Sequence, residues 1–277
     1  MKKLNLKKIL LILLAIILFT IFCIWQDNDV VVSRYEYQNS KISGDLDGYK
    51  IAQISDLHNK SFGENNKVLI DLLKKESPDI IVVTGDLVDS RRTDIYVAIN
   101  FVSQAITIAP VYYVSGNHEE RLSDEKLDSL YKGLENIGVV ILNNKSITLK
   151  TADNTPFYLL GVNNKNLKDN TLKKMVSKLD SDKLMILLAH RPQFLDNYSN
   201  AGVDLVFSGH AHGGQIRLPF IGGLLAPDQG FFPKYTAGSY EVSDTTMIVS
   251  RGLGNSLFPI RIFNRPDLVI VTLKQGA

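Results

Sequence analysis

Residues 202–216, "GVDLVFSGHAHGGQI", pass from an apolar run into two histidines one residue apart, His210 and His212, flanked by Gly209, Gly213 and Gly214. A short apolar run that stops abruptly in polar residues reads as a buried strand delivering its loop to one edge of a sheet. Glycines around a His-x-His pair let the backbone turn tightly and come close to whatever is held there. The same arrangement recurs in "YKIAQISDLH" (49–58), "PDIIVVTGDLVD" (78–89), "APVYYVSGNHEE" (109–120) and "DKLMILLAHRPQF" (182–194). Amphipathic, helix-like segments follow the first three, at 65–76, 93–106 and 122–138.

Between these units the pattern changes. "VVILNNKSITLK" (139–150) and "TPFYLLGVNN" (155–164) read as neighbouring strands, and 166–179 reads as a helix. Residues 30–42 form a further strand, followed by a turn at "GDLDG", and 246–256 and 266–274 supply two more. Strands alternating with helices and then interrupted by strands predict an α/β domain with mixed sheets. The spacing is not a fixed period, which excludes a solenoid.

Ahead of this domain, Ile9–Trp25 is seventeen residues without a charge. At helical rise it spans about 26 Å, near the lower limit for crossing a bilayer. A cleavable signal peptide is the competing reading, but the run exceeds an ordinary h-region and no A-x-A-like site follows. An uncleaved anchor is therefore expected over residues 1–29, with a single domain over 30–277. Lys2, Lys3, Lys7 and Lys8 precede the run, which places the N-terminus in the cytoplasm and the domain on the extracytoplasmic side of a single-pass cell-membrane protein. Without those four lysines, 27 basic residues stand against 29 acidic ones, so bulk charge gives no support to nucleic-acid binding. Cys23, the single cysteine, lies within the apolar run, so the domain has no disulfide. Nothing in the sequence calls for an obligate protein partner.

Each strand end carries polar groups: Asp56 and His58, Asp86 and Asp89, Asn117 and His118, His190, then His210 and His212. Singly, an aspartate there caps a helix, and a histidine is a satisfied loop residue. Jointly these readings fail, because every histidine of the chain falls at such a strand end. Imidazole, carboxylate and amide donors without thiolate suit manganese, iron or zinc. The set is too large for one tetrahedral ion and matches two ions sharing a carboxylate, the arrangement that stabilises both oxygens of a phosphoryl displacement. An extended strand end would turn Asp56 and His58 to the same side.

The ordered blocks "DLH", "GDLVD", "GNHE", "AH" and "GHAH", from about residue 48 to 215, resemble the five-block signature of the calcineurin-like metallophosphoesterases. The tail segments "GGQIRLPFIGG", "APDQGFFPKYTAG" and "SRGLGNSLFPIRIFNRPDLVIVTL" are similar to a bacterial membrane-associated branch labelled phosphodiesterase or UDP-diacylglucosamine-type hydrolase. The resemblance implies the metallophosphatase fold, a four-layer sandwich of two mixed β-sheets flanked by helices. It implies that Asp56, His58 and His212 hold one divalent metal ion and that Asn117, His190 and His210 hold the second, with Asp86 bridging. It implies that His118 is catalytic and stands over the leaving group, with Glu119 or Asp89 orienting it.

The expected activity is metal-dependent hydrolysis of a phosphoester, with a cell-envelope or lipid-linked substrate. Two alternatives are a pyrophosphatase of a UDP-diacylglucosamine-type lipid precursor and a non-catalytic anchored binder of metal or phosphate. The first conflicts with the topology, since such nucleotide sugars are made in the cytoplasm. The second conflicts with the intact set of motif residues. Arg191 and Arg251 are the expected substrate-binding cations, with Arg91, Arg92 and Arg261 as further candidates. The uncharged stretch "LPFIGGLLAP" (218–227) either packs in the core or faces lipid and admits an amphiphile.

Overall fold

The computed structural model describes residues 5–163 and 170–276. Lys2 and Lys3 and the first turn of the helix expected over 166–179 lie outside the described residues; the remainder of that helix is observed at Thr171–Val176.

The chain starts with helix α1 (Leu6–Asn28), whose side chains are exposed along its length except near the end, where Cys23 and Gln26 are buried. This helix is long and apolar enough to cross a membrane. Only Asp29 and Val30 separate it from the first strand, β1 (Val31–Asn39).

Two six-stranded mixed sheets follow. The first contains β1, β2 (Lys50–Ile54), β3 (Ile80–Thr84), β4 (Val111–Val114), β5 (Val140–Ile141) and β16 (Asp267–Gln275), in the order β1-β16-β2-β3-β4-β5. Strands β2 to β5 run parallel, whereas β16 is antiparallel to β2 and parallel to β1. The second contains β6 (Lys145–Lys150), β7 (Pro156–Val162), β8 (Met185–Ala189), β9 (Leu205–Ser208), β14 (Gly238–Val242) and β15 (Thr245–Val249), in the order β14-β15-β9-β8-β7-β6. Its central strands β15, β9, β8 and β7 are parallel, and its two outer pairs are antiparallel. As read from the sequence, the 139–150 and 155–164 segments bring neighbouring strands, β6 and β7, but 139–150 is divided, its β5 pairing with β4 in the first sheet.

The two-residue period of each strand sorts its side chains between layers. Ile51, Ile80, Val82 and Val114 pack against Phe157, Leu159, Ile186, Leu188 and Phe207, filling the space between the sheets. On the outer face of the first sheet, Ile54, Ile81, Val83 and Tyr113 meet α2 (Lys67–Glu76), α3 (Ile95–Ala105) and α4 (Asp124–Asn136) through Leu73, Phe101 and Leu130. On the outer face of the second, Leu187, Val206 and Val249 meet α5 (Thr171–Val176) and α6 (Leu195–Ser199) through Leu172 and Tyr198. The result is the helix, sheet, sheet, helix sandwich expected.

At the carboxyl ends of the strands the inter-sheet layer turns polar. Gln53 faces inward from β2 and donates from Nε2 to Thr84 Oγ1 (2.9 Å) on β3 and to the Ser208 carbonyl (2.8 Å) on β9. That bond ties the two sheets together directly beneath the loops that carry the histidines.

Phe207 is fully buried between the sheets. Phe207→Ala is expected to cost about 3–5 kcal/mol through the cavity it leaves. Thermal melting of the detergent-purified variant against the parent protein measures it.

Candidate metal centre

The loops after β2, β3, β4, β8 and β9 converge, and all five histidines meet there with both motif aspartates. Three groups of ligand atoms lie mutually close: Asp56, His58 and His212; His58, Asp86 and His118; and Asp86, His190 and His210. The ligand-bearing backbone is not extended. Asp56, His58, Asp86, His210 and His212 have φ of 52°, 48°, 52°, 67° and 45°. The shared direction of Asp56 and His58 therefore arises from left-handed turns beyond the strand, correcting the expectation of an extended strand end. Left-handed backbone in non-glycine residues is uncommon and clusters at functional sites.

Each side chain is held so that a lone pair faces inward. The His118 N–H donates to Asp86 Oδ1 (2.8 Å). This leaves Asp86 Oδ2 3.6 Å from His58 Nε2 and 3.3 Å from His190 Nε2, between the two groups. His190 Nδ1 donates to the Thr84 carbonyl (2.7 Å), so its Nε2 is unprotonated in the neutral tautomer. That Nε2 lies 3.2 Å from Asn117 Oδ1 and 3.2 Å from His210 Nδ1. His210 in turn donates from Nε2 to Asp228 Oδ2 (2.9 Å), which frees its Nδ1. Across the site, His58 Nε2 and His212 Nε2 face each other at 3.2 Å, and His212 Nε2 stands 3.4 Å from Asp56 Oδ1. Asp56 is fixed by the His210 N–H and by Ser55 Oγ.

Two pairs of imidazole nitrogens thus confront each other in a buried space with carboxylate oxygens beside them. Lone pairs so placed repel unless a proton or cation lies between them, and a buried acceptor set of this kind is costly alone. The donor chemistry fits two divalent cations: Asp56, His58 and His212 for one, Asn117, His190 and His210 for the other, and Asp86 for both.

Titration behaviour agrees. Burial pushes the Asp56 carboxyl up, but His212, His190 and His58 outweigh it and hold it below the usual range. Asp86 is held well below that range by His190 and its other imidazole neighbours, against its burial. Burial pulls His58 down to about 4 and His212 down to about 3. Both imidazoles are therefore neutral, and both aspartates ionised, at physiological pH, as metal ligands must be. His190 departs from this: burial lowers it, but the Asp86 carboxylate outweighs burial and raises it to about 9, so this imidazole holds a proton at physiological pH that a bound cation would displace.

Small residues make the crowding possible. A Cβ on Gly209 would lie 1.9 Å from Ser55 Oγ and 2.3 Å from Asp56 Oδ2. One on Gly116 would lie 2.2 Å from Asp86 Oδ1.

His118 lies just above this cluster, buried but bordering an open cleft of about 480 Å³. The Ser90 N–H donates to its Nδ1 (3.0 Å), so Nε2 carries the proton and points to Ser256 Oγ (3.2 Å) at the cleft wall. Burial holds this imidazole below its usual pKa. Glu119 does not orient it. Instead the Glu119 carboxylate accepts the N–H groups of Asp86 (2.9 Å), Leu87 (2.8 Å), Val88 (3.2 Å) and Gly116 (2.7 Å). It thereby joins the loops after β3 and β4. Asp89 Oδ1 stands 3.9 Å from His118 Nδ1 and accepts the Arg91 N–H (2.8 Å).

The arginines divide differently from the expectation. Arg251 pairs with Asp267 (3.2 Å) and donates to Ser33, and it is not among the residues that line the cleft. Arg261 is fully buried and donates to Asn255 Oδ1 and the carbonyls of Arg251, Gly254 and Asn264. Arg191 pairs with Asp228 (3.2 Å), behind His210. The arginines that line the cleft are Arg91 and Arg121. Sequence reasoning passed over Asp228, Ser90, Ser256 and Arg121. Only the turn signal "PDQG" marks Asp228, and no local signal marks the others.

Residues 49–214 match the family model of the calcineurin-like phosphoesterases. The chain is 30% identical over 251 residues to the metallophosphoesterase YkuE of Bacillus subtilis, covering 89% of this chain and 86% of the relative. It is 28% identical to the phosphodiesterase YaeI of Escherichia coli over 81% of this chain and 82% of that protein. It is also 26% identical to a zebrafish (Danio rerio) transmembrane protein with a metallophosphoesterase domain, over 85% of this chain and 55% of that one.

Two outcomes follow from this geometry. Glu119→Gln places an amide NH2 among backbone donors, and is expected to cost about 1–3 kcal/mol and to lower bound metal, measured by melting and elemental analysis. In chelator-treated protein, His58 and His212 stay neutral where an unfolded chain protonates its histidines, near pH 6.5. The unfolded state then binds more protons, so stability falls as pH drops from 6.5 towards 4. His190, raised to about 9, has the opposite sign, and its contribution fades between 6.5 and 9. Melting temperature of the chelated protein should therefore peak near neutral pH, and a monotonic rise into acid would contradict it.

Proposed function

The chain belongs to the calcineurin-like phosphoesterases, and on that basis we propose that it is a membrane-anchored phosphodiesterase using two divalent metal ions. We place its active site on the extracytoplasmic side and take a lipid-linked or cell-envelope phosphoester as its substrate. The observation that carries this reading is the Asp86 carboxylate, whose Oδ2 stands between the His58 and His190 nitrogens at the floor of a cleft bordered by His118.

Asp56, His58 and His212 would hold one ion, Asn117, His190 and His210 the other, and Asp86 both. Manganese, iron and zinc suit donors of this type. When bound, such a pair acts as a Lewis acid that activates water and offsets charge on phosphoryl oxygens. The chain's own groups do the remainder. His118 presents Nε2–H to the cleft and donates a hydrogen bond to the departing oxygen as its charge develops. Arg91 and Arg121 neutralise the phosphate from the cleft wall. Asp228, braced by Arg191, holds His210 in the tautomer that leaves Nδ1 free.

Anchoring is supported by α1 and by the transmembrane designation of the zebrafish relative. The outward orientation is supported by Lys7 and Lys8 at the start of that helix.

Detergent-purified full-length protein with added manganese is expected to hydrolyse bis-p-nitrophenyl phosphate; no turnover of this diester or of the monoester would falsify the enzymatic reading. Asp86→Ala should lose both metal and activity. His118→Ala should keep its metal while kcat falls by about 10²–10⁴-fold. Loss of metal in that variant would refute the role assigned to His118.

A further inference from the structure

Apart from α1, the described surface outside the metal centre carries one dense group of exposed aromatic and aliphatic side chains, and it lies beside the cleft. It is built on two short hairpins, β10 (Arg217–Leu218) with β11 (Gly222–Gly223) and β12 (Leu225–Ala226) with β13 (Gly230–Phe231), and on residues 257–263. Phe220 and Ile221 form the tip of the first hairpin, and Phe231 and Phe232 end the second. Hydrogen bonds join these parts. Phe232 N–H donates to the Leu224 carbonyl, Arg217 N–H donates to the Ile262 carbonyl, and Gln215 Nε2 donates to the Phe258 carbonyl.

The exposure is built in. Phe220 is fully exposed and Phe232 is 69% exposed. Phe220, Phe232 and Phe263 have φ of 66°, 52° and 50°, left-handed conformations that bulky residues seldom adopt. Of the charges within these segments, Arg261 is buried and satisfied internally, Arg217 donates to the Gly213 carbonyl and Thr236 Oγ1, and Asp228 is turned towards His210 and Arg191.

The same surface receives the end of α1. The Phe22 and Phe263 rings meet edge to face at 5.5 Å. Gln26 Oε1 accepts the Asn264 N–H (3.1 Å), Asp27 Oδ1 accepts from Asn255 (3.1 Å), and Asp29 pairs with Arg265. The Arg265 guanidinium lies over the Trp25 ring, a pairing of residue types that settle at the headgroup level. With two residues between α1 and β1, the domain cannot swing away from the point where the helix leaves it.

We infer that this apolar collar seats in the leaflet around the anchor, so that the cleft draws an amphiphilic phosphoester sideways from the membrane. The phosphate would reach His118 and the metal ligands, while the acyl or alkyl tail lies along Leu225, Pro227, Leu257 and Phe258, which line the cleft. The occupant is the bilayer because the collar is continuous with the docking surface of a helix able to span one. Burial of apolar side chains at the interface is favourable in proportion to their area. The inference rests on the anchored phosphoesterase reading and adds the lipid surface and the tail to it.

The test uses full-length protein in lipid nanodiscs. In a Cys23→Ala background, Phe220→Cys, Phe232→Cys and Lys75→Cys, the last exposed on the final turn of α2 at the opposite, amino end of the strands, are each labelled with an environment-sensitive fluorophore. Doxyl-labelled lipid should quench the probes at 220 and 232 strongly and the one at 75 weakly. In the same discs, a long-chain alkyl p-nitrophenyl phosphodiester should show kcat/KM at least about ten-fold above its methyl analogue. Phe220→Ser with Phe232→Ser should reduce that advantage several-fold and leave methyl-ester turnover unchanged. Equal quenching at all three positions overturns the seating, even when the methyl ester is hydrolysed. Quenching without tail preference overturns the lateral uptake of substrate. Hydrolysis of neither ester overturns the phosphoesterase reading, and the quenching result then decides the seating separately.

Discussion

Everything in this site depends on a carboxylate that is divided in use. The backbone N–H of His118 holds Asp86 Oδ1, which leaves Oδ2 within 3.6 Å of nitrogens from two histidine groups. A carboxylate free to rotate would serve one group or the other. Fixed as it is, it fuses two ligand sets into one centre. So many buried acceptors gathered around one point are costly without positive charge among them, which is why these residues fit cations.

The shell behind the ligands enforces this arrangement through hydrogen bonds that each admit only one tautomer. Thr84 fixes His190, Asp228 fixes His210, and Ser90 fixes His118 with the proton on the cleft side. Glu119 collects four backbone donors from two loops and so sets the distance between the β3 and β4 strand ends. Gln53 does the corresponding work between the sheets. Second-layer groups of this kind position ligands as much as the ligands themselves bind. They hold the loops in left-handed backbone at five of the motif positions.

The helix at the N-terminus is coupled to the site more closely than a tether would be. Its last turn is pinned to the 255–265 segment, which also supplies Ser256, Leu257 and Phe258 to the cleft. On the anchored reading proposed above, a helix joined in this way would set the orientation of the cleft as well as its location.

Much of this was legible in the sequence, because residue type and short-range period are local properties. The apolar runs with a polar block after each specify an α/β domain with mixed sheets, the apolar N-terminal run marks an anchor candidate, and the resemblance of the five motif blocks implies the four-layer sandwich. The strand-end cluster stood out because every histidine falls there, and the resemblance of the motif blocks implied which seven residues are ligand candidates and that His118 is catalytic. What the sequence could not determine involves partners far apart in the chain. The His210 N–H meets Asp56 across 154 positions, and the Arg91 guanidinium meets Ser256 across 165. Tautomers, the division of Asp86 between its oxygens, the withdrawal of Arg251 and Arg261 into structural bonds, and the gathering of separate phenylalanines into one collar were decided by tertiary structure alone. The physical reason is that a hydrogen bond or a surface patch is a relation between elements brought together by packing, and local sequence encodes only the elements.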